Sequence, residues 1–371
     1  MKFTCSQSVL AKAINTVSKA VTSRTTIPVL KGILLNAEDD GKLTLSASDL
    51  DLSIEKTIDV NVSESGSAVV MAKLFSDIIR KLPNDEILIE ENDDNGLMIK
   101  TSSSEFNIAG ISPDEFPKIT DLEKNAGELD FNREIFRDMV ARTSFAASID
   151  ESKGVITGVL IELEEENVNM VALDGFRMAV VREKMKNEQP GKFIISAKII
   201  NEVNRIISES ESDNEDIKFI LGDKKAVILI ENTKIVLRLM EGNFIEYNGI
   251  LPTEHKTAVR IEKNSLLEGI ERASLMAVEG KNNLVKITVK NDLMTITSRS
   301  EEGNVKEEII MEKTGEDIEI GFNSKYLMDA LKAVDDEVLM INFNSSVSPC
   351  LITPVEGGRY EYLVLPVRIS R

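Results

Sequence analysis

The sequence predicts an α+β protein of three similar domains, each with antiparallel sheets and two helices on one side. Three segments repeat the order strand, small residue, lysine, two apolar residues, helix, and their lysines are Lys73, Lys198 and Lys325. These lysines are 125 and 127 residues apart, about one third of the 371-residue chain. Because a long fixed period indicates repeated structural units, the chain is predicted to be a threefold repeat.

A second strand-to-helix junction occurs once in each third, which divides each third into two half-repeats. Its anchors are Ser6, Asn132 and Glu262, at spacings of 126 and 130 residues. Each half-repeat is predicted to hold a short strand, a helix of about three turns and two or three alternating strands. The six predicted helices span residues 8–21, 73–82, 133–145, 198–207, 264–276 and 325–334.

Hairpin turns indicate that the strands pair antiparallel. Asp40-Gly41 separates the alternating segments 32–37 and 42–46, and Asn95-Gly96 separates 87–90 from 97–100. Asp-Gly and Asn-Gly favour the tight turns that join neighbouring antiparallel strands.

Two stretches without periodicity separate the thirds. Residues 112–128 carry Pro113 and Pro117, and residues 242–258 carry Pro252. The predicted domains are therefore 1–122, 128–250 and 253–371.

The composition limits the chemistry of the protein. Lys and Arg number 44 against 63 Asp and Glu, a net charge of −19 that argues against nucleic-acid binding unless positive charge is concentrated locally. His255 is the single histidine, so a His-rich metal site is excluded and a Ser-His-Asp triad could form only around it. Cys5 and Cys350 are predicted to be free thiols. Without an apolar run of about 18 residues or a signal segment, the predicted location is the cytoplasm.

Positive charge is concentrated in the predicted helices. Their 70 residues contain 13 Lys or Arg and 7 Asp or Glu, which leaves a net −25 on the other 301 residues. Suppose that equivalent helices of about 10 Å width line a closed ring. Six helices would leave an opening of roughly 9 Å in diameter, which is narrower than the major groove of DNA, and twelve would leave an opening of roughly 28 Å. One chain could not enclose a duplex, but two could.

Seven segments carry a resemblance to the bacterial sliding clamps, the beta subunits of DNA polymerase III, along the whole chain. In order they are Met1-Lys2-Phe3-Thr4, Arg24 to Leu30, Ser48-Asp49-Leu50-Asp51, Phe116-Pro117, Ala172 to Ala179, Ile320 to Leu327, and Leu363 to Arg368.

The resemblance implies a head-to-tail homodimer, a ring with twelve helices inside and sheets outside. Such a ring encircles double-stranded DNA without reading its sequence and tethers the replicative polymerase, which makes synthesis processive. A hydrophobic pocket between the second and third domains would bind linear motifs of polymerases, the clamp loader and repair proteins. The resemblance implies that the protein itself catalyses no reaction, and we expect no metal, no cofactor and no membrane partner.

Site residues follow from the charge pattern and from the resemblance. The residues expected to contact DNA are Arg24, Lys73, Arg80, Arg137, Arg142, Lys198 and Arg205. The expected pocket residues are Gly175, Phe176, Arg177, Met178, Ile250, Asn323, Tyr326, Val347, Leu363, Val364, Leu365, Pro366, Val367 and Arg368. Leu173, Phe176, Ile245 and Gly249 depart from the common family pattern, so the pocket is expected to be more apolar than usual. The chain also continues through Ser370 and Arg371, beyond the residue at which many members stop.

Two other function classes remain open from the residues. A metal-dependent hydrolase could use Asp39-Asp40, Asp49 with Asp51, or Asp93-Asp94, because paired carboxylates bind divalent ions. The first and last pairs precede glycine turns, which favours a structural role. The second class is a repeat-built adaptor that binds proteins without encircling DNA.

Overall fold

The structure is a computed structural model that describes residues 1–92, 95–120, 127–187, 189–210, 216–277 and 283–369. Within these ranges, six α-helices occur where the repeat predicts them. They are α1 (Gln7–Val17), α2 (Ala72–Lys81), α3 (Arg133–Thr143), α4 (Ala197–Glu209), α5 (Lys263–Ser274) and α6 (Ser324–Lys332).

The strands follow the half-repeats. They are β1 (Lys2–Ser6), β2 (Gly32–Glu38), β3 (Lys42–Ser48), β4 (Leu52–Asp59), β5 (Asn61–Glu64), β6 (Gly66–Met71), β7 (Glu86–Glu91), β8 (Leu97–Lys100), β9 (Glu105–Ile108), β10 (Gly110–Ile111), β11 (Gly127–Asn132), β12 (Gly158–Leu163), β13 (Asn167–Leu173), β14 (Arg177–Lys184), β15 (Gly191–Ser196), β16 (Asp216–Leu221), β17 (Lys225–Ile230), β18 (Thr233–Arg238), β19 (Thr257–Glu262), β20 (Leu284–Lys290), β21 (Leu293–Arg299), β22 (Asn304–Ile310), β23 (Glu312–Gly315), β24 (Ile318–Asn323), β25 (Val338–Phe343), β26 (Cys350–Pro354) and β27 (Tyr360–Val364).

The chain divides into two compact units. The first, Met1–Glu134 with Glu202–Leu239, holds a five-stranded sheet in the order β5-β1-β7-β8-β9 and a nine-stranded sheet in the order β10-β6-β2-β3-β4-β18-β17-β16-β11. The second, Ile135–Asn201 with Met240–Arg371, holds a nine-stranded sheet in the order β15-β12-β13-β14-β27-β26-β25-β19-β23 and a four-stranded sheet in the order β22-β21-β20-β24. The described strand pairs are antiparallel, as the hairpin turns predict.

The sheets extend further than the repeat alone predicts. Each nine-stranded sheet combines strands from two of the three repeats. In the first unit β4 pairs with β18, with Leu52 opposite Leu237. In the second unit β14 pairs with β27, with Met178 opposite Leu363. This pairing satisfies backbone N–H and C=O groups that would otherwise be left at the edge of a smaller sheet.

The helices are amphipathic and bury one face. In α2 the buried residues are Ala72, Phe75, Ile78 and Ile79, which recur at the spacing of one helical face. Within the first unit α2 packs beside α1, and within the second unit α6 packs beside α5. Lys73 lies outside the buried face of α2 and is exposed.

The helices α1, α3, α5 and α6 end two to four residues earlier than predicted, and after α1 and α3 the chain tightens into a 3-10 turn. The turn Ser18–Ala20 follows α1, and the turn Ser144–Ala146 follows α3. The start of α5 is capped by Glu262, whose carboxylate accepts hydrogen bonds from the backbone N–H groups of Asn264 and Ser265.

The segments expected to be linkers are partly structured. The first expected linker, residues 112–128, overlaps β11, which begins at Gly127. The second, residues 242–258, contains the buried Tyr247, which is 4% exposed, and overlaps β19, which begins at Thr257. The predicted end of the first domain, residue 122, lies outside the described residues, as do Ser370 and Arg371.

The predicted turns and thiols can be checked directly. Gly41 has φ 84° in the turn between β2 and β3, and Asn95 has φ 57° before β8, so both hairpins are confirmed. Asp93-Asp94 lies outside the described residues.

Cys5 and Cys350 are free and buried, as predicted, and burial raises the pKa of each thiol to about 12. In the part of the chain that the structure describes, no helix is long and apolar enough to cross a membrane.

Candidate functional site

A pair of cations recurs on the second helix of each third. Lys73 and Arg80 lie on α2, Lys198 and Arg205 on α4, and Lys325 and Lys332 on α6, and all six are exposed. Each pair is separated by seven residues, or two helical turns, so both cations lie on the same face. Each of these three helices therefore presents its own stripe of positive charge on an acidic protein.

Acidic neighbours do not neutralise this stripe. Arg80 donates to Asp77 at 2.7 Å, and Arg205 donates to Glu202 at 2.9 Å, three residues earlier in each helix. The arginine side chains remain 69% and 67% exposed. Exposed pairs of this kind are worth well under about 1 kcal/mol and exchange readily for another anion such as phosphate.

The other predicted DNA contacts differ in environment. Arg24 is exposed in a bend before the 3-10 turn Pro28–Lys31, and Arg137 is half-buried on α3. Lys325 and Lys332 are absent from the predicted set, although their position 127 residues after Lys198 and Arg205 identifies them as members of the same repeat.

Arg142 corrects the prediction, because it lies inside a network of ion pairs. Its guanidinium donates to Asp138 at 2.6 Å, to the carbonyl oxygen of Ala333 at 2.8 Å, and to Asp335. Arg359 also donates to Asp138, at 2.9 Å. With 6% of its side chain exposed, Arg142 ties α3 to the segment after α6 and is unavailable to a phosphate.

The second candidate site is the surface over an apolar cluster in the second unit, at the residues where the resemblance implies a pocket, and we call this surface the groove. Met178 is 3% exposed on β14, and Leu363 is 3% exposed on β27, and the two belong to one buried cluster with Leu173 and Tyr247. Partly buried apolar side chains pack against this cluster: Val155, Ile156, Met240, Phe244 and Leu251. None of these five was predicted, because they come from irregular segments without a periodic pattern.

The rim of the groove is aromatic and cationic. Phe176 is 53% exposed and stacks on Tyr326, with ring centroids 6.1 Å apart. The Nζ of Lys153 lies 5.7 Å from the Phe176 centroid, and the guanidinium of Arg177 lies 4.7 Å from the Tyr326 centroid. Aromatic side chains with cations over their faces form a stable and partly apolar wall.

Arg177 is held rather than free. It donates to Asp174 at 3.1 Å, to the carbonyl oxygen of Phe145 at 2.8 Å, and to Asp329 on α6. Its side chain is only 10% exposed. Arg177 therefore joins β14 to α6 and fixes the wall of the groove, and its charge is already paired.

The C-terminal segment forms the other side of the groove. The backbone N–H of Leu365 donates to the carbonyl oxygen of Phe176 at 2.8 Å, and that of Val367 donates to Gly321 at 2.8 Å. Leu365 is 37% exposed, whereas Val364 is 1% exposed. Because side chains alternate along β27, Val364 points to the opposite face from Leu363 and does not line the floor. Pro366 is half-buried and Arg368 is exposed.

The remaining predicted pocket residues have distinct roles. Gly175 has φ 92° in the turn between β13 and β14, a conformation that glycine adopts without strain. Asn323 caps α6 by accepting a hydrogen bond from the N–H of Lys325 at 3.0 Å. Ile250 is 44% exposed after the 3-10 turn Tyr247–Gly249, and Val347 is 75% exposed in the loop that leads to β26.

A buried carboxylate anchors the segment that precedes Ile250. Glu162, 6% exposed, accepts hydrogen bonds from the Tyr247 hydroxyl at 2.6 Å, from Lys192 at 2.7 Å and from Asn169 at 3.1 Å. Burial alone would raise the pKa of Glu162, but these hydrogen bonds outweigh it and hold the pKa below its usual value. Tyr247 is thereby fixed beneath the groove.

The acidic pairs considered for hydrolysis serve turns. Asp49 accepts hydrogen bonds from the N–H groups of Asp51 and Leu52, and Asp40 accepts one from Lys42. Within the described ranges, no three His, Cys, Asp or Glu side chains are grouped as a metal site would require.

Comparison with known proteins decides between the function classes. Models of the DNA polymerase III beta subunit match residues 1–120 as its N-terminal domain, 130–246 as its central domain and 248–368 as its C-terminal domain. The chain belongs to this family. A beta sliding clamp of Staphylococcus epidermidis is 32% identical over 379 residues, which cover 99% of each chain.

Solved structures agree with this membership. A putative DNA polymerase III beta subunit from Eubacterium rectale superposes with a TM-score of 0.94 at 34% identity, and the DNA polymerase sliding clamp of Bacillus subtilis with 0.94 at 31%. Both alignments cover 100% of each chain. The predicted family, three-domain clamp fold and sliding-clamp function are confirmed, and a sliding clamp is an accessory processivity subunit without catalysis of its own.

Proposed function

We propose that this sliding clamp closes as a head-to-tail homodimer around double-stranded DNA, with its six helices per subunit facing the duplex. The observation that carries the proposal is the exposed cation pair at equivalent positions of α2, α4 and α6. Contacts from such cations to phosphate position a protein on DNA without specifying bases, which suits a ring that must slide.

The proposed DNA contacts combine the repeat with the predicted set. They are Arg24, Lys73, Arg80, Arg137, Lys198, Arg205, Lys325 and Lys332, and Arg142 is left out because its guanidinium is already paired. The acidic remainder of the surface disfavours DNA elsewhere on the protein.

Exposed apolar residues on edge strands support ring closure. Phe106 is 39% exposed on β9, the last strand of the five-stranded sheet, and Ile310 is 83% exposed on β22, the last strand of the four-stranded sheet. Leu275, just after α5, is 70% exposed. An edge strand with exposed apolar side chains is a template for pairing with another chain. We therefore assign β9 of one subunit and β22 of its partner to the dimer interface.

The groove beside Met178 is the proposed tether for partners. Its buried floor of Met178 and Leu363 and its exposed rim of Phe176 and Leu365 suit a short peptide with one or two large apolar side chains. The proposed partners are the replicative polymerase, the clamp loader and repair proteins. The proposed domains remain 1–122, 128–250 and 253–371, and the proposed place of action is the cytoplasm.

Charge reversal tests the DNA surface. Lys198→Glu with Arg205→Glu should weaken binding to short duplex DNA strongly at low salt and little at high salt, because exposed phosphate contacts act through counterion release. The matched control is Lys42→Glu with Lys100→Glu. These two lysines lie on strands, their side chains are each 52% exposed, and the control should bind DNA as the parent does. Equal loss in both double variants would show that net charge matters rather than this surface.

A further inference from the structure

The chain builds the strand junction beneath the groove a second time, in the first unit. Asp174 accepts hydrogen bonds from the N–H groups of Phe176 and Arg177, at 2.8 and 3.0 Å. Asp49, 125 residues earlier, accepts the same bonds from Asp51 and Leu52, at 3.1 and 2.7 Å. The two turns therefore have the same hydrogen-bonded geometry.

The neighbouring strand repeats this equivalence. The N–H of Arg238, just after the last β4–β18 pair, donates to the carbonyl oxygen of Asp51 at 2.8 Å. The N–H of Leu365, just after β27, donates to Phe176 at the same distance. The backbone that supports the groove at β14–β27 is thus also present at β4–β18.

The side chains at the second junction form a small cavity with a polar floor. Its volume is about 90 Å³, enough for one side-chain group or about three waters. Ser48 and Ser53 line it and share a hydrogen bond of 2.7 Å between their hydroxyls. In the register of the repeat they stand where Leu173 and Met178 form the apolar floor of the groove. The second cavity therefore suits a polar group.

The charge around the cavity is positive. Among the described residues, its lining includes three cations, Lys118, Lys225 and Arg238, and one carboxylate, Asp51. Arg238 and Asp51 are 3.9 Å apart and both largely exposed, so this pair leaves Arg238 able to meet another anion. On a chain with net charge −19, a local excess of cations selects an acidic ligand.

An exposed apolar side chain, that of Leu50, lies at the cavity beside these cations. Leu50 is 57% exposed and has φ 78°, where the equivalent position carries Gly175. A residue with a Cβ adopts this conformation at a cost, and such strain concentrates at functional positions. Leu50 and the half-buried Ile119 both line the cavity and give it an apolar edge.

We propose that the β4–β18 junction is a second docking site, which takes an acidic linear peptide segment. A carboxylate of the segment binds among Lys118, Lys225 and Arg238, and a neighbouring apolar side chain packs on Leu50 and Ile119. The site is separate from the proposed partner groove and stands whether or not that groove binds peptides.

The test uses a labelled, capped peptide of sequence Asp-Glu-Leu-Leu-Asp-Glu and its uncharged counterpart Asn-Gln-Leu-Leu-Asn-Gln. Binding to the full chain is measured by fluorescence polarisation up to about 1 mM protein, the upper range for a weak linear peptide. The background variant is Leu365→Asp, which places a carboxylate at the rim of the first groove to repel acidic peptides there.

In this background, Lys118→Glu with Lys225→Glu should raise the Kd of the acidic peptide at least about tenfold, since two attractive contacts become repulsive. Leu50→Gly should raise it about threefold through the lost apolar contact. The control Lys42→Glu with Lys100→Glu should change it less than about twofold, because those lysines are not part of the cavity lining.

Several results would overturn the proposal. They are no saturable binding, equal binding of the uncharged peptide, equal weakening in the control double variant, or loss of binding on Leu365→Asp alone. Displacement of the peptide by a single-stranded oligonucleotide of equal charge at equal concentration would assign the surface to nucleic acid and would also overturn it.

Discussion

The two strand junctions share a backbone and differ in their side chains. At β14–β27 the turn residue Arg177 is held by two carboxylates, and Met178 and Leu363 form a buried apolar floor. At β4–β18 the cross-strand neighbours include Glu55 and Lys234, which form a half-buried ion pair of 3.3 Å. A repeated fold therefore supplies the same scaffold twice, and the side chains at equivalent positions decide which junction becomes an apolar groove.

The largest difference is expected from placing a carboxylate at the equivalent positions Met178 and Ser53. Met178→Asp should lower the free energy of unfolding by several kcal/mol and abolish binding of a polymerase-derived peptide, because an unpaired charge enters an apolar cluster. Ser53→Asp should cost about 1 kcal/mol or less, since Ser53 is half-buried beside a hydroxyl.

Urea unfolding and fluorescence polarisation measure the two effects. Met178→Leu, which conserves volume and character, should retain most of the stability and binding. Parent-like peptide binding by Met178→Asp would show that the floor of the groove is wrongly assigned.

The second comparison removes an arginine from each junction. Arg177→Ala should destabilise the protein by about 2–4 kcal/mol, because Asp174 and Asp329 lose their shared partner in a largely buried place. Arg238→Ala should cost less than about 0.5 kcal/mol, since its pair with Asp51 is long and exposed. Similar unfolding midpoints in urea for the two variants would contradict the distinction between a structural and a surface arginine.

The smallest expected effect concerns Leu365 and its equivalent, Arg238. Leu365→Ala should weaken binding of the polymerase-derived peptide about tenfold without changing stability, because the side chain is partly exposed at the rim. Arg238→Ala should leave the affinity for that peptide unchanged. If calorimetric titration shows equal loss in both variants, the peptide does not distinguish the two junctions.

Local patterns allowed the repeat, the helices and the hairpins to be predicted. The lysine anchors and the Asp-Gly and Asn-Gly turns each depend on residues close together in the sequence. The joining of β4 to β18 could not be predicted in this way, because Leu52 and its partner Leu237 are 185 residues apart. Which strands complete a sheet depends on tertiary packing.

Site residues could be predicted where the local sequence determines whether a side chain is exposed. They could not be predicted where a residue far along the chain binds that side chain. Lys198 and Arg205 are exposed as their helix pattern indicates. Arg142 shares that pattern but is bound by Asp335, 193 residues away, so its burial has no local signal. Lys153 reaches Phe176 from an irregular turn, which likewise leaves no periodic trace.

Enclosure of DNA is tested most directly by cutting the DNA. The protein is loaded by a bacterial clamp loader onto a nicked circular plasmid, isolated by gel filtration at high salt, and the plasmid is then cut once. We expect the protein to stay with the intact circle and to leave the linear DNA through its ends. We expect Phe106→Lys with Ile310→Lys to abolish retention by opening the proposed interface, whereas Ile149→Lys, at a fully exposed position, should not. Protein that remains on the cut DNA, or that leaves the circle equally fast at high salt, would contradict encirclement.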